Sequence, residues 1–195
     1  MEQQGLEKIR ALLGGAPAVT VYGASSSAID KVFFDDARAL GAALAARGAA
    51  VIDGGGAAGL MGAVNDGALG AGGKAIGVIP RFMADRGWGH TGLSLTVVTD
   101  GMHPRKALMA AAAKAVIAMP GGIGTLDELM EIMTWRQLGL FSGSVILLNT
   151  AGYYTPLINL LERAAALGFM RKGTGPEQLY GVAETPQQAV EMALG

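Results

Sequence analysis

Three glycine-rich turns in this chain have the composition of anion cradles. They are Gly23-Ala24-Ser25-Ser26-Ser27, Gly54-Gly55-Gly56-Ala57-Ala58-Gly59 and Pro120-Gly121-Gly122-Ile123-Gly124-Thr125. Each follows a short apolar run and precedes a stretch of helical periodicity. A helix N-terminus offers unpaired N–H groups and the positive end of a dipole, and glycine lets the backbone approach a phosphate closely. One such turn is most simply a tight turn. Three at one edge of a sheet point to an anionic ligand such as a nucleotide.

Two further segments carry polar chemistry. In Met102-His103-Pro104-Arg105-Lys106 two adjacent cations fall in the predicted first turn of a helix, where the dipole disfavours them. That charge pattern suits either a solvated face or a ligand that supplies the counter-charge. In Thr125-Leu126-Asp127-Glu128-Leu129-Met130-Glu131, Thr125 and Glu128 have capping-box spacing, which alone would explain the glutamate. Glu128 and Glu131 are also three apart, so both carboxylates share one helical face beside a glycine turn. A carboxylate there can stabilise positive charge or activate water.

Several chemistries are disfavoured or excluded. Gly54, Gly56 and Gly59 match G-x-G-x-x-G, but the next predicted strand ends at Ile79-Pro80 without the acid that dinucleotide binding needs. Gly73-Lys74 is followed by Ala75, so there is no phosphate loop of the Walker type. There is no cysteine, and the two histidines, His90 and His103, have no partner at metal-binding spacing. No metal and no cofactor are therefore expected, although oxygen-only Mg²⁺ binding stays open. Ser25, Ser26 and Ser27 do not form a G-x-S-x-G elbow. Met102, Met109, Met119, Met130 and Met133 read as core fillers.

The elements that must position these residues alternate along the chain. Short, nearly continuous apolar runs predict strands at 18–22, 49–53, 74–79, 94–98, 115–119, 145–149 and 179–182. Helical periodicity covers 30–47, 60–69, 104–113, 126–138, 156–167 and 186–194. Thr155-Pro156 and Thr185-Pro186 read as N-cap followed by N1, and Thr185 with Gln188 as a second capping box. Strand–helix alternation predicts an α/β fold with a doubly wound parallel sheet of about seven strands. Residues 1–195 read as a single domain. The irregular piece at 80–93 is long enough to be a functional loop or lid.

Composition agrees. Of 195 residues, 51% are hydrophobic and 16% charged, which excludes intrinsic disorder. The net charge of −1 gives no basic field for nucleic acid or an anionic membrane, so neither partner is expected. No signal-like or membrane-spanning stretch is legible, and the cytoplasm is the default location. The 31 glycines concentrate at the turns above.

At these residues the sequence resembles a known family. Pro120-Gly121-Gly122-Ile123-Gly124-Thr125-Leu126-Asp127-Glu128 matches PGGxGTxxE, and Met102-His103-Pro104-Arg105-Lys106 matches MHxRK. Together they resemble the LONELY GUY family of cytokinin riboside 5′-monophosphate phosphoribohydrolases, long mislabelled lysine decarboxylases. The likeness takes in Tyr22 to Ser27, Gly54 to Gly62, Thr134 to Gly139 and residues 147–168. It implies a Rossmann-like domain, normally a homodimer with sites near the interface. It also implies hydrolysis of the N-glycosidic bond of a purine nucleoside 5′-monophosphate, giving free base and ribose 5-phosphate. Arg105 and Glu128 match the catalytic pair. The substrate- and phosphate-binding set expected around them is Ser25, Gly54, Gly55, Gly56, Lys106, Gly121, Gly122, Gly124, Thr125, Asp127, Glu131 and Thr134. One departure stands out: Gly87 occupies the place where relatives carry a substrate-contacting Glu, with Asp85 and Trp88 nearby. A non-catalytic nucleotide or molybdenum-cofactor carrier on a related fold is the alternative; it would not need both Arg105 and Glu128.

Overall fold

The computed structural model describes residues 2–171 and 175–195. Seven strands form one sheet: β1 (Ala18–Tyr22), β2 (Ala50–Asp53), β3 (Ala75–Pro80), β4 (Leu95–Thr99), β5 (Ala115–Ala118), β6 (Ser144–Leu148) and β7 (Gly181–Ala183). Every neighbouring pair is parallel, in the order β4-β3-β2-β1-β5-β6-β7. Val19 pairs with Val51 on one side and Ala115 on the other, so β1 lies at the centre. The winding reverses between β1 and β5. In open α/β sheets, ligands bind beyond the strand ends at that switch point. The first and third glycine turns leave the sheet there.

The helices are α1 (Glu2–Leu13), α2 (Lys31–Ala46), α3 (Gly59–Gly70), α4 (Arg81–Ala84), α5 (Met102–Ala112), α6 (Ile123–Gln137), α7 (Thr155–Ala166), α8 (Pro176–Leu179) and α9 (Pro186–Leu194). They cover both faces of the sheet. Ile9, Leu108, Met109, Leu129, Ile132 and Met133 bring α1, α5 and α6 onto one face. Leu40, Leu44, Leu60, Val64 and Val190 bring α2, α3 and α9 onto the other. β1, β2, β3 and β5 are buried throughout, which is why they read as unbroken apolar runs. β4 alternates between accessible and buried positions, as a half-covered edge strand does. On this second face α2 and α3 pack closely because they cross at glycines. A Cβ on Gly41 would overlap the carbonyl of Val64, and one on Gly67 that of Arg38.

Several details correct the sequence-based expectations. α1 was not expected, because its charged residues interrupt the apolar pattern; Ile9 and Leu13 are nevertheless buried. The irregular piece at 80–93 opens with the short helix α4. The last strand starts later than residue 179, since α8 occupies 176–179. Thr155 lies inside α7, whose N-cap is Tyr154. Thr185 does cap α9, accepting from the N–H of Gln188, but the Gln188 side chain accepts from Glu184 rather than from Thr185. α6 begins at Ile123 with Gly122 as its N-cap, so Thr125 and Glu128 form no capping box. The cap explanation for Glu128 therefore falls.

Candidate active site

Two helices lying on the same face of the sheet bring the polar residues together. α5 follows β4 and α6 follows β5, and their N-terminal halves meet beyond the strand ends. Arg105 lies in α5, and its guanidinium is almost fully buried. Its Nη1 donates to Oε1 of Glu128 at 2.8 Å, and its Nε donates to the carbonyl of Val78 at 3.0 Å. A Cβ on Gly54 would overlap its Nη2, so the guanidinium lies directly against the second glycine turn. A larger residue there would have to push the guanidinium aside.

Glu128 is 8% exposed. Burial raises its pKa, while the charges of Arg105 and Lys106 and the Arg105 hydrogen bond pull it back; the net direction is upward. Its second oxygen, Oε2, receives no hydrogen bond among the described residues. A raised pKa makes that carboxylate a better proton acceptor than a free one. Tyr22 ends β1 beside this pair, and its hydroxyl pKa is raised by burial and then by Glu128.

Lys106 is also buried, with its Nζ 3.0 Å from Oδ2 of Asp127 and 3.1 Å from Oε2 of Glu131. Burial alone would lower its pKa, but the two carboxylates outweigh it and the net direction is upward. The sequence left open whether a ligand balances the two adjacent cations. The structure shows that α6 does so, through Glu128, Asp127 and Glu131. Glu128 and Glu131 share one face, as their spacing implies, and divide the two cations of α5 between them.

The third glycine turn is tightly built. A Cβ on Gly121 would overlap Oγ1 of Thr125, which is itself buried. The carbonyl of Gly121 accepts from the hydroxyl of Tyr153 at 2.5 Å, and Tyr154 donates to the carbonyl of Met119 at 2.7 Å. Gly122 and Gly124 have open space where a Cβ would be, so their backbone is accessible. Ser25 and its two serine neighbours are exposed, and three residues separate them from α2, so they do not sit on its first turn. Thr134 is exposed and donates to the carbonyl of Met130 within its own helix.

The segment after β3 is fastened to the second glycine turn. Gly56 and Gly89 form an antiparallel bridge, Ala57 N–H donates to Trp88 O at 3.0 Å, and His90 N–H donates to Gly55 O at 2.9 Å. Gly87 has a φ of +72° with open space around it. A glutamate there would meet no clash but would carry about 1–2 kcal/mol of left-handed strain. Trp88 is half exposed, with Arg86 over its ring at 5.2 Å.

Comparison with known proteins gives this geometry a family. Residues 61–193 match the family model described as "Possible lysine decarboxylase". A cytokinin riboside 5′-monophosphate phosphoribohydrolase from Rhodococcoides fascians is 43% identical over 139 residues, covering 71% of this chain and 70% of the relative. A probable enzyme of that name from Oryza sativa subsp. japonica is 41% identical over 174 residues, covering 89% of this chain and 70% of the relative. The chain belongs to the LONELY GUY family. Among solved structures, this family member is similar to TM1055, a structural genomics target, with a TM-score of 0.69 at 27% identity over 90% of this chain and 96% of that one. The molybdenum cofactor carrier protein of Chlamydomonas reinhardtii shares the fold, with a TM-score of 0.70 at 22% identity over 90% of this chain and 94% of that one.

Beyond its motifs, this LONELY GUY chain carries buried polar residues that were not singled out from sequence. Asp53 ends β2 fully buried, accepting from Gly55 N–H at 2.8 Å and from Nδ2 of Asn65 at 2.9 Å. Its only sequence signal is an acid closing an otherwise apolar strand. His90, half-buried and already weighed above as a metal ligand, lies 3.0 Å from the exposed Asp66 through Nε2. Among the described residues no cluster of three or more His, Asp or Glu side chains could hold a metal ion, and no helix is long and apolar enough to cross a membrane.

Proposed function

We propose that the protein hydrolyses the N-glycosidic bond of purine nucleoside 5′-monophosphates, cytokinin riboside monophosphates and AMP among them, to free base and ribose 5-phosphate. The observation that carries this is the buried Arg105–Glu128 pair at 2.8 Å, set between two glycine turns at the end of the sheet. Breaking the bond from C1′ to the base sends the electron pair to the base and leaves oxocarbenium character on the sugar. Water adds its oxygen to C1′, and its proton ends on the departing base. Glu128 faces the developing charge and takes the proton from water. Arg105 holds that carboxylate in place and orients the substrate or its leaving base. The turn from Gly121 to Thr125 receives the phosphate and supplies orientation, and Gly54, Gly55, Gly56 and Ser25 complete the substrate-binding set. Lys106, held by Asp127 and Glu131, braces α5 against α6, and Thr134 lies further along α6.

The test is incubation with AMP, isopentenyladenosine monophosphate and the two matching ribosides, with assay of free base and ribose 5-phosphate. Release from the monophosphates alone is expected, and the ratio of the first two gives the preferred base. Glu128→Gln keeps a hydrogen-bond acceptor for Arg105 but not the charge; it is expected to fold with reduced stability and to lose about 100-fold or more in turnover. No release from any compound, with nucleotide binding retained, would replace the enzyme with a carrier.

We further propose a homodimer. α7 is amphipathic yet has no fully buried residue, and Leu160, Leu167 and Phe169 are 61%, 61% and 83% exposed. Ile123, 83% exposed, stands in the phosphate turn itself, which would bring the site close to the interface.

A further inference from the structure

The reaction proposed above leaves one fully buried acid unused. Asp53 makes an Asx-type turn, its Oδ1 accepting from the N–H two residues on, at Gly55. That bond shapes the stretch whose first residue, Gly54, has Arg105 packed against it. Gly55 takes a φ of +73° and lies against Gly77 of β3, and its carbonyl receives His90 N–H. The wall behind the guanidinium and the anchor of the segment after β3 are thus one turn, held from inside by one carboxyl.

The other side of that carboxyl is unusual. Asn65 donates to Oδ2 through Nδ2, while its own Oδ1 is the sole buried side-chain polar atom without a partner among the described residues. Turning the amide over would offer that oxygen to a protonated Asp53 as an acceptor, so the pair can serve both protonation states. The charged and titratable groups that act on Asp53 are Arg105 from α5 and His90 from the segment after β3. Both favour its ionised form. Burial opposes them more strongly and pushes the carboxyl up to about 7.

We propose that Asp53 is a positioning residue for Arg105, and that its ionisation weakens binding of the anionic substrate. The neutral carboxyl holds the Gly54–Gly55 turn behind the guanidinium. The ionised carboxyl holds the same turn but adds a negative charge near Arg105, offsetting the positive potential that a monophosphate would meet. This deepens the hydrolase assignment and rests on it for the kinetic readout.

The experiment compares wild type, Asp53→Asn and Asp53→Ala by steady-state kinetics on AMP between pH 6 and 8. It adds hydrogen exchange of the Arg105 Nε proton, followed by NMR. Asp53→Asn keeps the acceptor for Gly55 and cannot ionise. Its KM is expected to stay level relative to wild type, whose KM should rise at least threefold across pH 7; taking the ratio cancels titration of the phosphate. Asp53→Ala is expected to lower kcat at least tenfold and to speed exchange of the Arg105 proton, with Asp53→Asn recovering most of both losses. Equal kcat and equal exchange in Asp53→Ala would overturn the positioning role. Parallel KM profiles in wild type and Asp53→Asn would overturn the electrostatic role. If wild type cleaves no monophosphate, the hydrolase assignment fails, and the exchange measurement still decides whether Asp53 positions Arg105.

Discussion

Arg105 and Glu128 are each costly to bury alone and tolerable together. Removing one partner from a buried pair leaves an uncompensated charge, a loss on the order of 3–5 kcal/mol. Arg105→Ala should therefore lose several kcal/mol of stability, and adding Glu128→Gln to it should recover part, as read from urea unfolding. A stable Arg105→Ala protein would show that Glu128 is better solvated than its burial implies. Asp53 makes a separate prediction with a definite sign. Its folded-state pKa of about 7 lies above the unfolded value of 3.8. Between these the native state keeps a proton that the unfolded chain has released, so stability falls as pH rises, by at most about 1.4 kcal/mol per unit. Glu128, also raised, contributes in the same direction. Asp53→Asn should flatten the decline between about pH 4 and 7, and an unchanged slope would assign that decline to other groups.

The glycines separate function from architecture at the level of elements. A Cβ on Gly54 would meet the tip of a side chain, whereas one on Gly41 would meet the backbone of α3. Gly54→Ala should thus push the Arg105 guanidinium aside while its pairing with Glu128 is kept, lowering kcat by about 100-fold with a smaller loss of stability than Arg105→Ala. Gly41→Ala should force α2 and α3 apart and lose about 1–3 kcal/mol while keeping its activity per folded molecule. Reversed outcomes would mean that the second glycine turn is structural and that the α2–α3 contact shapes the site. The element pattern itself was largely readable in the sequence. Continuous apolar strands and short connections predicted a parallel doubly wound sheet, and β1 was placed to the residue. The misses have physical causes. α1 hides its buried Ile9 among charges, and the helix-start signal at Thr125 was overridden because Gly122 begins α6 a turn earlier.

The whole molecule leaves apolar surface uncovered along α7 and at Ile123, the opposite of what an isolated chain with such a complete core would need. Two copies should therefore associate, giving a light-scattering mass near twice 19.8 kDa. Leu160→Asp should shift the protein toward monomer and, through Ile123 beside the phosphate turn, reduce turnover. A monomeric wild type at micromolar concentration would remove the dimer proposal and leave α7 free for another partner.

The sequence by itself determined the class of fold, the three glycine turns and the two motifs, because apolar runs, turn glycines and motif spacing are local along the chain. It did not determine what the charges of those motifs do. Arg105 and Glu128 are 23 residues apart, and Asp53 and Asn65 are 12 apart. Only the packing of α5 against α6, and of α3 beneath the second turn, decided that the two cations are balanced from within and that a buried acid stands behind the guanidinium. Burial and pairing set the protonation of such groups, and both are properties of distance in space rather than along the chain.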